Sequence, residues 1–513
     1  MKKTPLSVMK IVCRITKSLQ SHFCLIVSWI REIKNVFFRF IIQALVKHGT
    51  IQINWGVASI IMRICFPMKA DLYLLISVIA LLLFPLPFSK PENGKRINID
   101  LPSVYNGDEP HYLLMMSSIV NDGDLDLKNN YLAVHEGSAQ AGKRFAGTPF
   151  EHQTFWYVND KYFGWWDAYE DQWGPGDSGR LKPRTKDTVV AKVTARLPEY
   201  GAHPPGLALF LAPALYPFKN SMLFEPMAIF YAALIMVAAL FFCRYLLCAY
   251  TTDSRRRTMC AAIIFLGSPL WFYARTLYSE GTMTFLAVAA YALFISGKKA
   301  LVPGLLIGLG VLFKPVFGIL AVPLFFTMAR NKEMGKLVRF SAAVFTGIAI
   351  LFLLNYRMSG SFLKATQLYI MGNPLSGAWG LFSNTTHGIL LLCPAFLIAL
   401  TLWPSFIRKH GYKAWIPAWG FLLYFIVMAT FANWRGGDSY GPRLIVPVLP
   451  FLLLPLLLFP AGGGRWKKLK TGLGVFLILI SIYINANGAI TSWKFINRNP
   501  LIAAYVKVGK LLF

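Results

Sequence analysis

The chain has 513 residues, 56% of them hydrophobic and 15% charged, with a formal net charge of +29. Apolar runs of membrane-spanning length recur along it, which excludes a string of soluble domains and implies a polytopic membrane protein. The positive charge does not indicate nucleic acid: 16 of the 23 acidic residues fall between Lys90 and His203, and the other seven are set against 39 Lys and Arg, concentrated in short loops between apolar runs, the distribution expected of cytoplasmic loops.

Residues 1–70 carry eleven Lys and Arg against the single acid Glu32, with apolar residues interleaved as in Phe37-Phe38-Arg39-Phe40-Ile41-Ile42. No run there reaches span length without a charge. The stretch reads as a basic cytoplasmic extension, either interfacial helices on an anionic leaflet or a poorly ordered arm. The first span is expected at 71–89, and its basic flank keeps the N-terminus in the cytoplasm, so residues 90–203 form a large extracytoplasmic loop.

That loop opens with Tyr105-Asn106-Gly107-Asp108-Glu109-Pro110-His111-Tyr112. Pro110 suits the first turn of a helix, and Gly123 suits its end, so a helix is expected from Pro110 to about Asn121. Asp108 and Glu109 then sit at its positive end, where ionised carboxylates are favoured. They are candidates for a general base or for metal ligands; the competing reading is that they only cap the helix. Asn121-Asp122-Gly123-Asp124-Leu125-Asp126 has some features of a calcium loop, but its glycine is misplaced for an EF-hand and the closing Glu is absent, so a turn is expected. Further along lies an aromatic patch, from Phe155 through Trp165 and Trp166 to Trp173, suited to stacking on sugar rings or to anchoring at the bilayer interface.

His203-Pro204-Pro205-Gly206 opens an apolar run, 204–218, that the charge rule makes interfacial or re-entrant rather than spanning. Ten further spans are expected between 226 and 486, near 226–248, 259–274, 280–296, 301–313, 316–329, 338–355, 388–407, 414–432, 444–460 and 471–486, with 487–513 as an extracytoplasmic tail. The few basic residues of the outer loops depart from the cytoplasmic pattern, and three at span ends on the face that carries Asp108 stand out: Arg275, Lys314 and Arg443. Converging there, they would hold a phosphate or pyrophosphate; singly, each would snorkel to lipid headgroups. The seven cysteines avoid the large loop and show no CxxC or metal-ligand spacing, which implies buried thiols.

The acidic pair after the first span, the large first outer loop, the His203-Pro204-Pro205 opening of an interfacial helix and about eleven spans together resemble the GT-C class of polyprenyl-phosphate-sugar glycosyltransferases, which includes protein O-mannosyltransferases and lipid A aminoarabinose transferases. The likeness runs over about residues 71–460, and the strings Ser268-Pro269-Leu270-Trp271, Glu280 and Tyr440-Gly441-Pro442-Arg443 are similar to those of bacterial members. It implies an all-α GT-C-like bundle with a mixed first outer loop, in the bacterial cytoplasmic membrane with its active site outside. The implied reaction is inverting sugar transfer from a polyprenyl-phosphate donor to a hydroxyl of a glycan, glycolipid or protein acceptor, with Asp108 as base and Glu109 beside it. Arg275, Lys314 and Arg443 would bind the donor phosphate. His111, His203, Trp165, Trp166, Glu280 and Tyr440 would contact substrate. A divalent cation (Mg, Mn or Ca) on Asp108 and Glu109 is the one cofactor expected. The rival reading is a transporter or flippase for a lipid-linked sugar.

Overall fold

A chain this apolar must bond its backbone polar groups internally, and helix does so within a single segment. The computed structural model describes residues 69–83, 107–135, 153–158, 161–164, 197–364, 369–437, 439–460 and 467–490, and they are mostly helical. The basic extension, Trp165 and Trp166, and the tail beyond Ile490 lie outside the described residues.

Helix α1 spans Lys69–Leu83. Helix α2, Glu109–Ser117, runs on as a π turn over Ser118–Asp122 and stops at Gly123, whose φ of 81° is the left-handed conformation that glycine adopts most readily. The acidic stretch after it is a self-bonded turn. Ser118 Oγ donates to Asp124 Oδ1 at 2.9 Å, and Asp126 Oδ1 accepts from the backbone of Lys128 (3.1 Å) and Glu199 (2.9 Å). These side chains are spent on the turn itself and on tying it to Glu199, in keeping with the turn that the misplaced glycine implied. Helix α3 is Lys128–His135. Strands β1 (Thr154–Val158), β2 (Lys161–Gly164) and β3 (Tyr200–Gly201) form an antiparallel sheet in the order β2-β1-β3, so this segment mixes helix and strand.

Helix α4, Gly206–Leu215, is only 10 residues long and closes in a 3-10 turn at Tyr216–Phe218. The bundle comprises α5 (Phe224–Leu247), α6 (Ser254–Leu266), α7 (Leu270–Tyr273), α8 (Ser279–Ile295), α9 (Leu301–Phe313), α10 (Ala321–Arg330), α11 (Met334–Ser359), α12 (Pro374–Ser383), α13 (Ile389–Leu392), α14 (Ala395–His410), α15 (Tyr412–Ala429), α16 (Leu449–Leu453) and α17 (Lys467–Ile490). By length and composition, four described helices can cross a membrane unaided: α5, α11, α15 and most of α17. The remaining expected spans, where described, are shorter apolar helices or are broken into pieces. Proline is the main cause, since it removes a donor and crowds the preceding turn. Pro269 separates α6 from α7, Pro394 separates α13 from α14, and Pro447, Pro450 and Pro455 leave 443–458 as 3-10 turns around α16.

Backbone groups released at these breaks are bonded by neighbouring helices. Asn485 Nδ2 of α17 donates to Leu392 O at 2.8 Å, and Ser481 Oγ accepts from Ala395 N at 2.8 Å, which bridges the α13–α14 break. Trp403 Nε1 donates to Leu452 O at 3.0 Å and Tyr291 OH to Leu320 O at 2.9 Å. Elsewhere small residues let backbones touch. A Cβ on Gly304 would lie 2.6 Å from Phe340 O, and one on Gly347 would overlap the Gly308 carbonyl, so α9 and α11 meet along small residues spaced by four.

The two ends of the bundle differ in chemistry. One gathers Asp108, His203, the start of α8, the α9–α10 turn and Arg443. The other gathers the loops after α5, α8, α10 and α14: Tyr250 OH donates to Lys413 O at 2.9 Å, and Lys298, Lys336 and Lys413 line one small cavity.

Candidate functional site

Asp108 precedes α2, but its side chain makes no capping bond to that helix. Its Oδ2 instead contacts Arg443 Nη2 directly and lies 3.5 Å from His203 Nδ1, with the side chain 17% exposed. Arg443 opens the 3-10 turn Arg443–Val448, after a loop in which Gly436, Gly437 and Gly441 all have positive φ. The guanidinium bonds on three sides. Its Nε donates to Glu280 Oε1 at 2.8 Å, its Nη1 to Gly436 O at 2.9 Å and its Nη2 to Asp108, while its Cζ lies 4.5 Å from the Tyr278 ring centre. Glu280, in the first turn of α8 and fully buried, also accepts from Lys314 Nζ at 2.6 Å. Carboxylates and cations therefore alternate along one chain, Asp108, Arg443, Glu280, Lys314. Each buried charge has an opposite neighbour, as the desolvation cost of an unpaired one requires.

Local sequence explains the convergence. Gly206 lets the His203-Pro204-Pro205 corner press on the end of α9, where a Cβ would lie 2.5 Å from Leu312 O, and this sets His203 beside the Lys314 turn. His203 Nε2 is 2.6 Å from Gln153 Oε1, and its ring stacks on His111 with centroids 5.3 Å apart. Burial pushes Asp108 up, but Arg443, His203 and the Arg443 hydrogen bond outweigh it and hold the carboxyl well below the usual range. Burial lowers His203, outweighing the nearby Asp108 carboxylate, so its neutral form is favoured.

The expected residues divide sharply. Asp108, His203, Glu280, Lys314 and Arg443 meet. Glu109 turns away: its Oε1 accepts from Leu277 N at 2.8 Å, so the two carboxylates do not form a chelating pair, and among the described residues no group of three or more His, Cys, Asp and Glu is placed to hold a metal. Arg275 also points elsewhere, donating from Nη1 to Ala489 O of α17 at 2.6 Å; the position at a span end did not reveal that it bridges helices. His111 is buried, with Nδ1 2.6 Å from Tyr131 OH, and supports His203 from behind. Tyr440 is buried and bonds Asn485 Oδ1 at 3.1 Å, a packing role rather than an open contact. Glu280 is wholly enclosed between two cations, so it orients them instead of facing a ligand. Trp165 and Trp166 lie outside the described residues.

Lys314 also lines a cavity of about 770 Å3, with Pro205, Asn355, Lys364, Tyr369 and Phe431 among its walls. Sequence reasoning missed Asn355, Lys364 and Tyr369. Lys364 comes after the end of α11 and had the same signal as Lys314, a base at a span end, but no neighbouring motif.

Residues 199–382 match the family described as GPI transamidase subunit PIG-U. That segment holds His203, Arg275, Glu280 and Lys314 but neither Asp108 nor Arg443. Among curated proteins, none matches significantly by sequence. Two solved structures of ArnT from Cupriavidus metallidurans are similar at 12% identity: the apo state, with 86% of this chain and 75% of that one covered and a TM-score of 0.44, and the form bound to undecaprenyl phosphate, with 87% and 76% covered and a TM-score of 0.46. The archaeal oligosaccharyltransferase AglB from Archaeoglobus fulgidus, in complex with an inhibitory peptide and a dolichol-phosphate, is similar at 11% identity and a TM-score of 0.45, with 86% of this chain and 59% of AglB covered.

Proposed function

We propose that the protein is a membrane glycosyltransferase that moves a sugar from a polyprenyl-phosphate donor to an acceptor hydroxyl, with inversion, on the extracytoplasmic face of the bacterial cytoplasmic membrane. One observation carries this reading: the Asp108–Arg443–Glu280–Lys314 chain stands beside a largely apolar cavity of about 770 Å3 whose wall includes Lys314. An isoprenoid tail suits such walls, and a phosphate suits the cations at their edge.

In the reaction the acceptor oxygen attacks the anomeric carbon, and the bond from that carbon to the phosphate oxygen breaks. The hydroxyl proton passes to the Asp108 carboxylate, and the bonding pair leaves with the phosphate. Lys314 and Arg443 neutralise that charge, a contribution worth about 3 kcal/mol in a water-excluded site. With Arg443 against it, Asp108 is a weak base in the resting protein. A donor phosphate competes for the guanidinium, so donor arrival loosens Arg443 from Asp108 and raises the carboxylate's basicity at the moment it is required. Glu280 keeps both cations in place while this happens. A divalent cation fits this reading only on Asp108 together with the donor phosphate, since Glu109 is committed to Leu277.

The test is sugar transfer by purified protein in liposomes supplied with candidate polyprenyl-phosphate sugars and acceptors. Product that requires Asp108 supports the reading; donor that binds but is never transferred with any acceptor removes it. The segment match to a transamidase subunit favours a second reading, a non-catalytic subunit that binds a lipid-linked glycan, and it gives that second outcome. A transporter is disfavoured because the charged chain lies at one end of the bundle, without a counterpart at mid-depth among the described residues.

A further inference from the structure

The opposite end of the bundle carries a second large cavity, of about 880 Å3, between α10 and α15. Phe326, Trp415 and Trp419 form apolar walls, and all three are exposed, at 69%, 46% and 47%. Arg330, Asn331 and Tyr412 close the polar end. A smaller adjoining cavity shares Thr327, Asn331, Tyr412 and Ile416 with it and adds four charged residues, Lys298, Glu333, Lys336 and Lys413. Lys336 is paired with Glu333 at 2.8 Å. The side chains of Arg330, Lys298 and Lys413 make no ion pair among the described residues. An apolar slot walled by indoles thus ends in three uncompensated cations, and the slot lies at the end of the bundle away from Asp108.

We propose that this groove is a binding site for one anionic phospholipid, with an acyl chain against Phe326, Trp415 and Trp419 and the phosphate at Arg330, Lys298 and Lys413. Charge complementarity selects the headgroup. A zwitterionic lipid would offer the same chain but bring a cationic group to three cations, and a soluble phosphate would leave the slot empty. Basic pockets between transmembrane helices hold anionic headgroups for this reason, each cation near the surface favouring the anion by roughly 1 kcal/mol. The indoles sit at the helix start where amphipathic rings collect at a bilayer interface.

The test uses full-length protein in detergent and native mass spectrometry, with dioleoyl phosphatidylglycerol or dioleoyl phosphatidylcholine added in turn. One retained phosphatidylglycerol is expected, held about tenfold or more in preference to phosphatidylcholine. The preference should disappear in the double variant Arg330→Gln, Lys413→Gln. Equal retention of the two lipids, an unchanged preference in the double variant, or competition by millimolar inorganic phosphate alone would each overturn the proposal. A second measurement does not depend on that variant folding. Brominated phosphatidylglycerol should quench tryptophan emission more than brominated phosphatidylcholine does, and the excess should vanish in Trp415→Phe, Trp419→Phe protein. An excess that survives in that protein places the lipid elsewhere and removes the site.

Discussion

Asp108 and Arg443 stand 335 residues apart in the chain and form a direct ion pair, while Asp108 makes no capping bond to the helix it precedes. The pairing separates the two roles an acidic residue at a helix start can take. Asp108→Asn retains the shape and one acceptor oxygen for Arg443 but cannot take up a proton in the same way. Turnover should fall on the order of 10²-fold or more with the protein still correctly inserted, as read by transfer assays and thermal unfolding in parallel. Wild-type transfer by this variant would eliminate Asp108 as the base.

Arg443 bonds Asp108, Glu280 and Gly436 at once, each through a different nitrogen of its planar fork. Arg443→Lys restores the charge without the three-way geometry, so it should recover part of the donor binding lost in Arg443→Ala yet stay roughly tenfold or more below wild type. Donor titrations with both variants decide this. Full activity in both would place the phosphate elsewhere.

Glu109 accepts from Leu277 N, and a glutamine there offers the same acceptor without charge. Glu109→Gln should therefore leave any dependence on divalent cation unchanged and cost about 1–3 kcal/mol of stability, the range for weakening one buried charged hydrogen bond. A shifted metal requirement in this variant, read by titrating Mg or Mn into chelator-treated protein, would return Glu109 to the ligand set.

Burial lowers the His203 pKa from its ordinary value of 6.5. Below that value the unfolded chain takes up a proton that the folded protein refuses, so the neutral histidine's contribution to stability is complete above about pH 6.5 and is lost as the pH falls toward the folded value. His203→Gln should flatten the decline in unfolding temperature below pH 6.5. An unchanged slope assigns that decline to other groups.

Helix α5 joins the two ends of the bundle, and Lys219 and Arg255 are exposed on either side of it. Cysteines at these positions should label from opposite faces of the membrane. Thr258 would be a poor probe, because it is buried and accepts from Arg244 Nε at 2.9 Å. Labelling of both from one face would remove the crossing by α5.

Features that depend on neighbours along the chain were legible in the order of amino acids. Apolar runs marked a multi-pass chain of apolar helices, four of which, among the described residues, are long enough to cross a membrane. Pro110 and Gly123 bracketed α2, whose observed course, Glu109–Ser117 with a π turn on to Asp122, matches within a residue or so. The misplaced glycine of the acidic stretch announced a turn. Which charges meet was decided by tertiary packing. Arg275, Lys314 and Arg443 look alike as bases at span ends, yet Lys314 and Arg443 share Glu280 whereas Arg275 bonds α17. Asp108 and Glu109 are adjacent, yet one reaches Arg443 and the other the Leu277 backbone. The physical reason is directional: successive helical residues are about 100° apart and interact with different elements, so a spacing of one says nothing about a shared partner. Pairing across hundreds of residues is set by how the proline-broken helices pack, and no local pattern encodes it.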